Sequence, residues 1–141
     1  MLRNADPKVA RIQGLPMFKN ADISACKHVA SVADIVEVVA GEHLIVAGQL
    51  NHEAYVVESG TAVVLVNGEE VAEISEGEMI GELGLLDRGV ATATVTTKTA
   101  MSLLVIPYNR FGQILNENPS LVLEMAKELA QRLRAMDARH Y

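Results

Sequence analysis

The sequence predicts an α+β domain that is mainly β, a jelly-roll-like β-roll flanked by N-terminal helices and by two C-terminal helices. Three observations carry this expectation. Short β-branched runs punctuated by glycine fill the chain from Ile35 to Pro107. Apolar residues recur at three-and-four spacing on either side of that region. The pair Asn67-Gly68 stands between two apolar runs, which is a strong hairpin signal. With 141 residues, half of them hydrophobic, the chain suits one domain, 1–141, with a sizeable core.

Residues 8–14 read as a short helix, and Leu15-Pro16-Met17-Phe18 as a turn whose apolar members dock on the next elements. A second helix is expected over 22–33, completing the helical section 8–33, because Ile23, Cys26, Val29, Ala30 and Ala33 form one apolar stripe. Cys26 on that stripe reads as a small core residue. The strand-like runs are 35–40, 43–47, 54–59, 61–66, 70–74, 93–98 and 101–106, separated by Gly41, Gly48, Gly60, Asn67-Gly68 and Gly77. Many short strands at this spacing close on themselves as a barrel or sandwich, here a β-roll over 35–107. A short helix over 82–87 interrupts it.

Helices return over 108–117 and 119–138. Asn118-Pro119 suits the entry to the last one, since asparagine caps helices and proline fits the first turn. Leu121, Val122, Met125, Ala126, Leu129, Leu133 and Met136 form its apolar stripe, with Glu124, Lys127, Glu128, Arg132 and Arg134 on the other side. Arg132, Arg134 and Arg139 stand near its C-terminal end, where positive charge is favourable. The stripe needs a partner, either the β-roll, a second copy of the chain in a homodimer, or a partner protein.

Charge and composition exclude several classes. Eighteen acidic against 12 basic residues leave a net charge of −6, which opposes a nucleic-acid backbone, so no DNA partner is expected. The start, Met1 to Gly14, carries Arg3, Asp6, Lys8 and Arg11, and apolar runs such as Ala62 to Val66 are only strand-sized. Neither a signal peptide nor a membrane partner is expected from them. Cys26 is the single cysteine, which rules out an internal disulfide and suits a reducing, cytoplasmic setting.

The chemistry concentrates in Gly81-Glu82-Leu83-Gly84-Leu85-Leu86-Asp87-Arg88-Gly89-Val90-Ala91-Thr92-Ala93-Thr94-Val95, a glycine-led helical turn with a β-rich exit. Gly81 lets the backbone approach a ligand, Glu82 offers a carboxylate to sugar hydroxyls, and the N–H groups opening the helix favour negative charge. This segment resembles the phosphate-binding cassette of the cyclic-nucleotide-binding domain family, known from cAMP receptor proteins and protein kinase regulatory subunits. Two further segments agree with the resemblance: Ala40 to Gly48, like the family's glycine-bounded second strand, and Ala54 to Val64, like its tyrosine-containing hairpin. The likeness spans roughly Leu15 to Met136.

The resemblance implies a sensor without enzymatic activity or cofactor, whose ligand is cAMP, cGMP or a related anionic small molecule. By position, Gly81 and Leu83 match backbone that lines the ribose-phosphate, Glu82 the carboxylate on the ribose 2′-hydroxyl, and Thr92 a small or hydroxyl residue beside the phosphate, with Ala93 following it. Thr94 is expected to face either the pocket or solvent. Ala91 stands where the family usually has the arginine that pairs with the phosphate. A lost charge-assisted pair of this kind is worth about 1.5–3 kcal/mol, roughly tenfold to several hundredfold in affinity. Arg88, three residues earlier, is the candidate substitute, its plainer alternative being a pair with Asp87 or solvent. Without an opposing arginine or a sugar, a partly buried Glu82 is expected to have a raised pKa.

Other chemistries fit less well. A metal-dependent β-roll enzyme needs clustered ligands, and His28, His43, His52 and His140, with Glu53 and Glu58, are scattered. Ser59 lacks a nucleophile-elbow setting and reads as a turn residue. A DNA-reading module after the long helix is not expected within a chain that stops at Tyr141. Two functional classes remain: a ligand sensor that moves its C-terminal helices, or a degenerate domain that binds no nucleotide and serves as an interaction or dimerisation module through 119–138.

Overall fold

The computed structural model describes residues 6–138. The expected roles of Arg3, of Arg139 to Tyr141 and of the Met136 side chain lie outside the described residues.

Helix α1 (Pro7–Gln13) opens at Asp6, whose carboxylate accepts the Lys8 N–H at 2.9 Å, and proline occupies its first turn. A 3-10 turn at Pro16–Phe18 then drives Met17 and Phe18 inward, followed by α2 (Ile23–Val32), which buries Ala25, Cys26 and Val29. The β-roll comprises β1 (Asp34–Val38), β2 (His43–Ile45), β3 (Glu53–Ser59), β4 (Ala62–Val66), β5 (Glu69–Ile74), β6 (Met79–Ile80), β7 (Thr94–Thr97) and β8 (Met101–Pro107). Between β6 and β7 lies α3 (Glu82–Asp87), and after β8 come α4 (Tyr108–Glu117) and α5 (Pro119–Ala138).

Two antiparallel four-stranded sheets face each other, ordered β1-β8-β3-β6 and β2-β7-β4-β5. Ala54 pairs with Ile106 and Val56 with Leu104 in the first, and Val64 with Val95 in the second. The turn from β4 to β5 is made by Asn67 (φ 52°) and Gly68 (φ 81°), both left-handed, which is what a two-residue hairpin of the right twist requires.

Strands β3, β6 and β8 of the first sheet are covered on both faces. Ala54, Val56, Met79, Leu104 and Ile106 pack with Phe18, Val29, Phe111, Ile114, Leu121 and Met125 of the helices. The alternate residues Val57, Ile80, Met101 and Leu103 pack across the roll with Ile45, Ala62, Ile74 and Val95. Burial on both faces explains why β8 reads as a nearly continuous apolar run. Each buried Val, Leu, Ile, Phe or Met side chain contributes about 1.5–3 kcal/mol by leaving water. Cys26 is a fully buried core residue.

The structure departs from the expected elements in three places. Strand β6 has no counterpart among the expected runs, because two residues between Gly77 and Gly81 are too few for any periodicity to register. The Asn118 amide, expected at the N-cap of the last helix, donates back to the Ile114 carbonyl at 2.8 Å and closes α4. On α5 only Leu121 and Met125 of the expected apolar stripe are buried among the described residues, whereas Val122 is 43% exposed and Leu133 59%. Glu128 and Arg132, expected on the outer side, turn inward against β6. That strand is the edge of its sheet, so α5 meets unpaired backbone N–H and C=O groups there, and polar side chains suit such a surface better than hydrocarbon.

Candidate functional site

Gly81 starts the site. Its φ of 87° is open to glycine at no cost, and a Cβ there would lie 3.0 Å from the Glu53 carbonyl oxygen. The Tyr108 hydroxyl donates to the Gly81 carbonyl, and a Cβ at Gly84 would lie 2.8 Å from that same hydroxyl. Two glycines therefore let α3 sit directly on Tyr108 at the head of α4. Burial pushes the Tyr108 phenol up, partly offset by its hydrogen bond with Asn51.

The first helical residue, Glu82, points inward and is only 2% exposed. Its carboxylate accepts from Arg132 Nη1 of α5, while Arg132 Nη2 donates to the Met79 carbonyl. One turn earlier on α5, Glu128 Oε1 accepts the Met79 N–H at 2.8 Å. Glu78 Oε2 stands 3.8 Å from Arg132 Nε, and Glu128 Oε1 3.5 Å from Arg132 Nη2. One guanidinium thus serves three carboxylates. Burial pushes the Glu82 carboxyl above its ordinary range, and Arg132 opposes that shift without cancelling it. Burial likewise takes Glu128 up to about 7, again with Arg132 opposing.

Beside this cluster lies a cavity of about 190 Å³. Ile45, Val64, Ile74, Ile80 and Val95 make its apolar floor, and Gly81, Glu82, Leu83, Ala91, Thr92, Ala93 and Arg132 stand around it. Six of the seven candidate contact residues are therefore brought together. The seventh, Arg88, lines a different cavity behind α3 and none of this one. Arg88 adopts φ 58° at the C-terminal end of α3, where its N–H bonds the Gly84 carbonyl at 3.0 Å, and Asp87 accepts from the Gly89 N–H. Ala91 is held by backbone bonds to Gln49 and Gly48 at 2.9 and 2.8 Å, so its methyl faces the cavity from a fixed position. Thr94 Oγ1 accepts the Ala47 N–H at 3.1 Å, tying the loop after β2 to β7.

Arg132 is a cation that no sequence signal places here. The i,i+4 pair Glu128 and Arg132 is visible in the chain, but on a helix such spacing reads as an ordinary surface pair. Among the described residues no group of three or more histidines, cysteines or acids is arranged to hold a metal, and His43 Nδ1 lies 2.8 Å from Thr96 Oγ1. No described helix is long and apolar enough to cross a membrane.

Comparison with known proteins agrees with this fold. The sequence model of the cyclic nucleotide-binding domain matches residues 35–118. The cAMP-activated global transcriptional regulator CRP of Salmonella typhimurium is 33% identical over 97 residues, 64% of this chain and 46% of that protein. The potassium/sodium hyperpolarization-activated cyclic nucleotide-gated channel 2 of Mus musculus is 27% identical over 110 residues, 78% of this chain and 13% of the channel. The chain thus spans about half the length or less of these curated relatives. Among solved structures, a mutant regulatory subunit of a cAMP-independent protein kinase A from Trypanosoma brucei, bound to cAMP in its A site, has a similar fold. The TM-score is 0.78 at 19% identity, over 94% of this chain and 50% of that one. The sensor domain of the transcriptional regulator DNR from Pseudomonas aeruginosa gives 0.73 at 18% identity, over 89% and 92%.

Proposed function

The chain belongs to the cyclic nucleotide-binding domain family, and from that premise we propose that it is a non-enzymatic regulatory sensor. It takes cAMP, cGMP or a related anionic small molecule in the β-roll pocket and moves its C-terminal helices in response. The observation that carries this reading is the contact between Arg132 and Glu82. A ribose hydroxyl needs the Glu82 carboxylate, and a phosphate needs the cation that Ala91 does not supply and Arg132 does. Ligand and α5 therefore compete for the Glu82 carboxylate, so occupancy and helix position are linked through differential contacts. The cavity volume supports the same view: about 190 Å³ falls below the ~300–1,000 Å³ of small-molecule sites, so entry of a nucleotide moves Arg132 off Glu82 and onto the phosphate, shifting α5 with it. Relatives described as cAMP-activated and cyclic nucleotide-gated favour this ligand class.

Calorimetry with cAMP, cGMP, cyclic dinucleotides and linear nucleotides tests binding, and spin labels at Gln131 and Thr99 test movement. A cyclic nucleotide is expected to bind in the micromolar range and to change the interlabel distance. Absence of heat and of thermal stabilisation with every cyclic nucleotide overturns the reading.

One observation favours the second reading, an interaction or dimerisation module working through residues 119–138. On α5, Val122, Leu123 and Leu133 are 43%, 57% and 59% exposed, an apolar surface without cover among the described residues.

A further inference from the structure

Beside the pocket, sharing Asn51, Gly84 and Gly89 with it, a second cavity of about 960 Å³ opens between α3, the loop before β3 and α4. Its volume lies at the upper end of the range for small-molecule sites. The lining is polar in a particular way. Arg88 supplies one cation and Glu53 one carboxylate, and Asn109, Gln113 and Asn116 bring three primary amides along the exposed side of α4. Among the described residues neither Arg88 nor Glu53 uses its side chain in a hydrogen bond or ion pair. Tyr108 closes the inner end, its hydroxyl already committed to Gly81 and Asn51.

The backbone at Arg88 adds an independent observation. It occupies the left-handed position that ends α3, where glycine is the usual residue and a Cβ is disfavoured. Gly89 stands next to it, yet the strained position carries a long cationic side chain that no acid in the described residues neutralises. Such an outlier points to a role for the side chain.

We infer that this groove is a second ligand site, and that it takes a small hydroxyl-rich anion of the sugar-phosphate class. A guanidinium matches a phosphate with parallel N–H donors. Primary amides present a donor and an acceptor together, as a hydroxyl does, and Glu53 accepts from further hydroxyls. A plain inorganic anion uses only Arg88, and a neutral polyol only the amides.

Amide-proton NMR on 15N-labelled protein tests this. Glucose 6-phosphate, gluconate, inorganic phosphate and sorbitol are titrated separately, with cAMP as a marker for the first pocket. Glucose 6-phosphate or gluconate is expected to shift the amide resonances of Asn109, Gly112, Gln113 and Asn116 at least tenfold more tightly than phosphate or sorbitol. Arg88→Gln is expected to weaken that binding at least tenfold and to leave the cAMP shifts at Thr92 and Ala93 unchanged. Three results overturn the inference: no groove shift at millimolar concentration, shifts confined to Thr92 and Ala93, or groove shifts as strong with inorganic phosphate alone. Since the cAMP marker reads the other pocket, failure of one site leaves the other measured.

Discussion

Arg132 of α5 donates to the buried carboxylate of Glu82 across 50 positions of sequence. The contact joins the last helix to the first residue of the cassette helix, so the wall of the pocket and the position of α5 are not independent. Because Arg132 is partly exposed and Glu82 is not, the pair leans on the helix: lifting α5 leaves Glu82 as a buried, uncompensated acid.

Removing the guanidinium therefore destabilises more than removing the acid. Arg132→Ala is expected to cost about 3 kcal/mol, and Glu82→Gln added to it should restore a substantial part, since the orphaned charge is then gone. Urea denaturation of both variants measures the difference, and equal stability of the single and double variants contradicts the pairing.

Ala91 offers the converse experiment. Ala91→Arg returns a cation to the cavity rim, so cAMP affinity is expected to rise roughly tenfold to several hundredfold, as a charge-assisted phosphate pair of about 1.5–3 kcal/mol requires. Calorimetry reads this directly, and unchanged affinity would mean that the phosphate does not sit beside position 91.

Glu82 and Glu128, both beside Arg132, make stability depend on pH near neutrality. Glu128 titrates at about 7 in the folded protein against an ordinary 4.5, and Glu82 is shifted in the same direction. The folded state then holds protons that the unfolded chain releases, so stability falls as pH rises from about 4.5 to 7 and the penalty is complete above that. Melting temperature is expected to rise by a few degrees between pH 8 and pH 6. Glu128→Gln should flatten the slope. Glu58, held low by Arg11, works oppositely, adding stability above its ordinary range that is lost on strong acidification, and so does not mask this window.

Gly84 and Tyr108 are coupled by contact. Gly84→Ala places a methyl 2.8 Å from the Tyr108 hydroxyl and is expected to destabilise by about 1–3 kcal/mol. Tyr108→Phe removes the clashing oxygen, so the double variant should be more stable than additivity allows by roughly 0.5–3 kcal/mol. A double-mutant cycle with additive energies would show that α3 does not rest on the tyrosine.

Leu133, exposed on α5, separates the two functional readings. Leu133→Glu should leave a monomeric sensor unchanged in light scattering, whereas a chain that pairs through α5 should dissociate. A wild type that is already monomeric at high concentration excludes self-association through this face.

Much of the fold is legible in the chain itself. Glycine punctuation and the Asn67-Gly68 turn place the strands, and the cassette helix falls on 82–87 as its residues indicate, because local signals fix local geometry. The Ala91 departure is equally plain. The replacement for the missing cation is not, since Arg132 reaches the site only through folding over 50 residues and no spacing rule spans that distance. The faces of α5 mislead for a related reason. An apolar stripe finds the buried side when the neighbour is hydrocarbon, but at Met79 α5 meets a sheet edge, and there Glu128 and Arg132 are the fitting side chains.

Met79 carries the consequence of that edge. Two side chains on consecutive turns of α5 stand where a ninth strand would otherwise hydrogen-bond, taking the Met79 N–H and C=O between them. Any event that swings the helix away also bares a strip of unsatisfied peptide, and bare strips recruit other strips. Release of α5 and stickiness of the roll are in this way a single act, so a partner arriving with an extended segment would hold the helix off by taking its seat.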